Sequence, residues 1–201
     1  MAYSDFTLER VEKAFGLTIS DNVNLFADIP ELESSNWLKE TLSYNVPIAL
    51  GSNTEKARSE LIIAPILVEL RKQLNSQIAL FSGIDFTVDS DKGLNGNCDF
   101  IISQSAQLLI LRAPAIMLVE AKKENINAGL GQCIAEMLAA QIFNKKQGEE
   151  VTSIYGVVTT GEIWKFLKLT EQLVQIDLAE YFLNNVNKIL GILANSLPQK
   201  T

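Results

Sequence analysis

Glu120, Ala121 and Lys122 close the apolar run I-M-L-V-E-A-K, and Asp99 stands upstream of them in G-N-C-D-F-I-I. Side chains alternate along an extended strand, so the carboxylate and ammonium of E-x-K share one face, roughly 6.5–7 Å apart. By the same alternation Ile116 and Leu118 occupy that face, which marks it as turned toward a core. Charges on a core face cost several kcal/mol unless they pair or hold a metal ion. With Asp99 added, the group has the makings of an oxygen-lined cation site. An E-x-K triplet alone arises about once by chance in a chain of this length. The neighbouring groups give it weight.

Two other elements contribute polar groups. Glu60 shares a helical stripe with Ile63, Ala64 and Leu67, at i+3, i+4 and i+7, so its carboxylate is expected on or beside a buried face, where it needs a partner. Gln132 shares a row with Ala135, Glu136, Ala139 and Phe143. Small residues on that row let the helix lie close to a sheet and bring Gln132 to the strand ends. Glu136, one turn on, is expected at the surface or in support of the site rather than as a ligand. Cys98 and Cys133 form no C-x-x-C and read as small apolar packing residues.

The elements that must position these groups follow from periodicity. Residues 1–50 read as helical, with Ser4 capping one helix and a second spanning Ser35 to Tyr44. S-N-T-E at Ser52 to Glu55 reads as a capping box opening a helix through Lys72, kinked at Pro65. A strand over Ile84, Phe86 and Val88 then turns at D-S-D-K-G into a second strand carrying Asp99. Ala115 to Lys122 forms a third strand, and N-I-N-A-G-L-G opens a long helix to about Asn144. S-I-Y-G-V-V and E-I-W-K-F-L-K-L flank a T-T-G turn, and an amphipathic helix ends the chain. The expectation is an α/β fold with a central mixed sheet of about five strands flanked by helices. Its organisation is a helical N-terminal extension over 1–50 packed on a core over 51–201.

Composition narrows the chemistry. At 201 residues and 47% apolar, the chain can bury one sizeable core. It has no histidine. Imidazole bases, Ser-His-Asp triads and histidine-ligated zinc are thereby excluded, and a hard cation held by oxygen, Mg²⁺ or Mn²⁺, is the metal expected. No Walker loop or G-x-G-x-x-G is present. The first residues, M-A-Y-S-D-F-T-L-E-R, lack the pattern of a signal peptide, and no stretch is long enough to span a membrane, so a cytoplasmic location is expected. The net charge of −7 opposes nucleic-acid binding at long range. Basic spots are confined to pairs: Lys56 with Arg58, Lys122 with Lys123, Lys145 with Lys146, and Lys165 with Lys168.

On Glu60, Asp99, E-A-K at 120–122 and Gln132, residues 53–170 resemble the PD-(D/E)xK nuclease superfamily, the restriction-endonuclease-like fold. Y-G-V-V-T-T-G-E-I-W-K-F-L is also similar to the segment after the catalytic core in the N-terminal endonuclease domains of type I restriction subunits. A set of uncharacterised bacterial proteins shares the likeness. Cys98 stands where the motif's name has proline. The resemblance implies that Asp99 and Glu120 hold Mg²⁺ (or Mn²⁺) with the backbone carbonyl of Ala121, and that Glu60 contributes directly or through water. It implies that Lys122 orients or helps deprotonate the attacking water and stabilises charge on the phosphate, while Gln132 positions water or substrate.

Three readings stand at this point. The first is a magnesium-dependent deoxyribonuclease. The second is a nuclease-fold module that binds nucleic acid or a protein partner and cleaves little. The third is an unrelated α/β protein whose E-A-K is coincidence. A homodimer fits all three.

Overall fold

The computed structural model describes residues 1–197; the last four residues of the expected 51–201 unit lie outside them. Thr7 caps the first helix, α1 (Leu8–Phe15), and Gly16 ends it at φ +63°. Strand β1 (Thr18–Val23) follows, then α2 (Asn36–Ser52), α3 (Glu55–Arg58) and α4 (Ala64–Gln73). Strands β2 (Ala79–Asp85), β3 (Asn97–Ser103) and β4 (Ala115–Ala121) lead into the long helix α5 (Ile126–Lys146), capped by Asn125. The chain closes with β5 (Ile154–Thr159), β6 (Ile163–Thr170), β7 (Leu173–Asp177), β8 (Tyr181–Phe182) and α6 (Val186–Asn195).

The fold is α/β, as expected, but its mixed sheet has eight strands rather than five, in the order β1-β7-β6-β5-β4-β3-β2, with β8 beside β6. β1 runs parallel to β7 and β4 parallel to β5; the other pairs are antiparallel. The additional strands have physical causes. L-V-Q-I-D alternates, with Val174 and Ile176 buried. β1 is largely exposed, and its extended form depends on pairing with β7. Residues 1–50 are therefore not wholly helical. Tyr3, Phe6 and Val11 pack in the same core as α5, and Phe26, Leu38 and Ala49 pack in the core beneath α4 and α6.

Every residue of β4 is buried, which places the apolar run before E-A-K at the sheet's centre. Leu118 faces the α5 core with Ile101, whereas Val119 and Ala121 face the α4/α6 core. Ile116 lies in the α4/α6 core as well, because the β3/β4 register shifts between Ile102 and Ser103. The shared face thus begins at Leu118, one pair later than simple alternation predicts.

The helix expected from Ser52 to Lys72 is three pieces. Ser52 ends α2, and the cap of α3 is Thr54, whose Oγ1 accepts from the Ala57 N–H. A π-type turn over Ser59–Ile63 then sends the Ala64 N–H to the Ser59 carbonyl, five residues back. Pro65 has no N–H to give the Leu61 carbonyl, and Asn45 Nδ2 supplies that bond at 3.0 Å.

Candidate active site

The antiparallel pairing of Phe100 with Val119 sets Asp99 beside Glu120 at the next step. The half-buried Asp99 carboxylate accepts from the Ala121 N–H at 2.8 Å, so it holds the end of β4. Across β4, the Lys122 N–H donates to the Thr159 carbonyl at 2.8 Å. On the edge strand Gly83 lies between the paired residues Ser82 and Ile84, opposite Asp99, with φ +63° and open space where a side chain would stand. Backbone and bare glycine together leave Asp99 reachable from that edge.

Lys122 folds back onto its own strand. Its Nζ donates to Glu120 Oε1 at 2.5 Å and to Gln132 Oε1 at 3.3 Å. The two charges are therefore in contact, far closer than their backbone spacing, because both long side chains lean together. Gly129 makes room for them. A Cβ at that position would stand 2.6 Å from Val158 Cγ1 and 3.1 Å from Lys122 Cε. Gly156 and Gly131 work similarly, the first against Met137 and Cys133, the second against the backbone of Phe6 and Thr7.

The electrostatics are those of crowded acids sharing one cation. Glu120 is 2% exposed, and its carboxyl is pushed up to about 7, first by burial and then by Asp99, with Lys122 pulling the other way. Burial works against the Lys122 ammonium, but the charge and hydrogen bond of Glu120 outweigh it and raise its pKa. Glu136, expected at the surface or in support, is 0% exposed, and burial followed by Glu120 drives its carboxyl well above the ordinary range. Glu120 Oε2 and Glu136 Oε2 meet no N–H or cation, and the two carboxyls hydrogen-bond each other, with Glu136 holding the proton. Cys98 and Cys133 are buried thiols beside these acids, raised first by burial and next by Glu136.

Glu60 departs from its expected place. Its side chain is 59% exposed and pairs with Lys56 at 2.7 Å. The π-type turn inserts one residue into the helix and takes Glu60 off the Ile63, Ala64 and Leu67 row. It still borders a cleft of about 220 Å³ walled by Glu55, Lys56, Ser59, Ser82, Gly83, Asp99 and Ala121. Glu120, Lys122 and Gln132 lie between β4 and α5 instead of in that wall. Larger clefts of about 730 and 560 Å³ lie at the other end of α5, around Glu149, Glu150 and Thr152, and contain none of these residues.

The structure thus brings Asp99, Glu120, Ala121, Lys122 and Gln132 together and holds Glu60 at the rim. Among the described residues no three carboxylate or thiol groups converge as a ready cation cage. The buried Glu136 was the residue least expected here. Its signal in the sequence was a carboxylate sharing a row with Ala135 and Ala139, one turn from Gln132. Compared with known proteins, the chain matches no family profile, no curated protein and no solved structure.

Proposed function

We propose that the chain is a magnesium-dependent nuclease of PD-(D/E)xK type that hydrolyses DNA phosphodiesters. The observation that carries this reading is the Lys122 ammonium fastened to Glu120 and Gln132 at the end of the strand where Asp99 meets Ala121. Mg²⁺ suits the donor set. The donors are oxygen only, Glu120 Oε2 is buried with no N–H or cation against it, and Asp99 raises the pKa of Glu120. Mg²⁺ takes one or two carboxylates and keeps several waters, so a complete protein cage is not required. Asp99 and Glu120 would hold it with the Ala121 carbonyl, and Glu60 would reach it through water; Mn²⁺ would substitute.

When bound, the ion supplies positive charge against the scissile phosphate and acidifies the attacking water. Lys122, already held by two acceptors, orients that water and stabilises charge developing on the phosphate. Asp99 keeps the Ala121 backbone in place, and Gln132 restrains Lys122.

Incubation of the pure protein with supercoiled and linear DNA and Mg²⁺ or Mn²⁺ tests the proposal. The expected result is cleavage by the parent that disappears in Asp99→Ala and Lys122→Ala. Cleavage that persists in both variants rejects it. The second reading, a module that binds nucleic acid or a protein partner without cutting, is favoured by the acidic cleft. Lys56 at its wall pairs with Glu60, nearby Lys123 pairs with Glu124, and the chain carries −7 overall. Absence of cleavage together with absence of calorimetric Mg²⁺ binding supports that module.

A further inference from the structure

We infer that Glu136 is a positioning residue of this site: it fixes the amide of Gln132 so that the amide oxygen faces Lys122. The inference rests on the reading of Lys122 as the working cation. Gln132 Nε2 donates to Glu136 Oε1 at 3.1 Å, and Gln132 Oε1 accepts from Lys122 Nζ at 3.3 Å. An ammonium only donates, and an amide has one donating and one accepting end. With Glu136 taking the NH₂ group, the flipped amide would set donor against donor at Lys122. A protonated Glu136 still presents its carbonyl oxygen, so the constraint holds in either protonation state. Lys122 is then fixed from two sides, by Glu120 on its own strand and by Glu136 through Gln132 on α5.

The cost of Glu136 to the fold supports a role beyond packing. It is fully buried and faces another acid, Glu120, rather than a cation. On α5 it is flanked by buried, apolar Ala135, Met137, Ala139 and Ala140, and across from it lie Glu120 and the thiols of Cys98 and Cys133. An apolar side chain of similar length would fill the site without removing a carboxyl from water. Residues that oppose stability in this way gather where geometry serves function.

The test compares full-length wild type, Glu136→Gln and Glu136→Met by ¹H–¹⁵N correlation of lysine ammonium groups, which requires no turnover. The wild type is expected to show a slowly exchanging Lys122 signal, assigned by its loss in Lys122→Ala. Glu136→Gln retains an acceptor oxygen and keeps the signal. Glu136→Met loses it while the melting temperature holds or rises. Gln132→Leu cuts the same link from the other end and must also lose it, which decides the matter should the methionine variant not fold. A Lys122 signal undisturbed in the Met or Leu variant, or absent from the wild type, overturns the inference. Loss in Glu136→Gln as well overturns it too, because charge rather than an acceptor would then be what matters. In cleavage assays Glu136→Met should lower kcat on the order of 10–100-fold with KM for DNA unchanged. A wild type that cuts nothing rejects the nuclease reading and leaves the ammonium spectrum to judge Glu136.

Discussion

Glu120 and Glu136 make pH a direct probe of the site. Both carboxyls are raised above their ordinary values by burial, Glu120 to about 7 from 4.5. Between those values the folded chain binds more protons than the unfolded one, so stability falls as pH rises through the window. Lys122 is raised in the alkaline range and adds nothing to the slope there. The shift at Glu120 corresponds to about 3 kcal/mol. Denaturant unfolding should therefore show a more stable protein at pH 5 than at pH 8, and Glu120→Gln should reduce the difference to the part that Glu136 contributes. A profile rising from pH 5 to 8 would contradict it. Gly129 offers a steric probe. Gly129→Ala drives a methyl into Val158 and the Lys122 stem, which should cost roughly 1–3 kcal/mol in urea unfolding. Unchanged stability would mean that α5 can lift off the sheet freely.

At the scale of elements, α5 must be registered on β4 for Gln132 to meet Lys122. Asn144, near the C-terminal end of α5, does this by a two-way bond. The Ala115 N–H donates to its Oδ1 at 2.7 Å, and its Nδ2 donates to the Ala115 carbonyl at 2.8 Å. Asn144→Ala leaves two buried backbone groups without partners and should cost about 1–3 kcal/mol in each case. Calorimetry would register this as a lower melting temperature, and a variant melting with the parent would remove Asn144 from this role. The break between α3 and α4 shows what local pattern misses. A stripe of Glu60, Ile63, Ala64 and Leu67 reads as one helical face, but Pro65 and the Asn45 bond to Leu61 favour a wider turn that turns Glu60 outward.

For the whole molecule, the acidic balance and the crowded carboxyls lead to linked expectations. Mg²⁺ binding should stabilise the folded chain by about 2.7 kcal/mol at a hundred times its Kd. The gain should be larger at pH 8 than at pH 5.5, because protons compete for Glu120, and absent in Asp99→Ala. Thermal melts with and without the ion would show this, and an equal rise in Asp99→Ala would place the ion elsewhere. For a homodimer, α2 is the face we propose. Trp37, Tyr44 and Ile48 are spaced by seven and four residues, lie on one line of the helix, and are 42%, 72% and 60% exposed. Sedimentation should find a dimer that Tyr44→Glu dissociates; a monomeric parent would reject the pairing. No helix among the described residues is long and apolar enough to cross a membrane.

Much of the site could be read from local pattern. The run I-M-L-V commits β4 to the sheet's interior, and alternation sets Glu120 and Lys122 on one side of it. A four-residue interval sets Gln132 and Glu136 on one side of α5. These relations depend only on strand and helix geometry, which neighbours in sequence share. Tertiary structure decided the rest. β1 is extended because β7, more than a hundred residues away, supplies its partner, and Asp177 anchors the Leu25 N–H across a similar gap. Glu136 is buried because bare glycines at 129, 131 and 156 let α5 close on the sheet and on the N-terminal segment. Glu60 is at the rim because a carbonyl orphaned by Pro65 found Asn45 on another helix. Each of these outcomes depends on contacts between distant segments, and no local periodicity encodes such contacts.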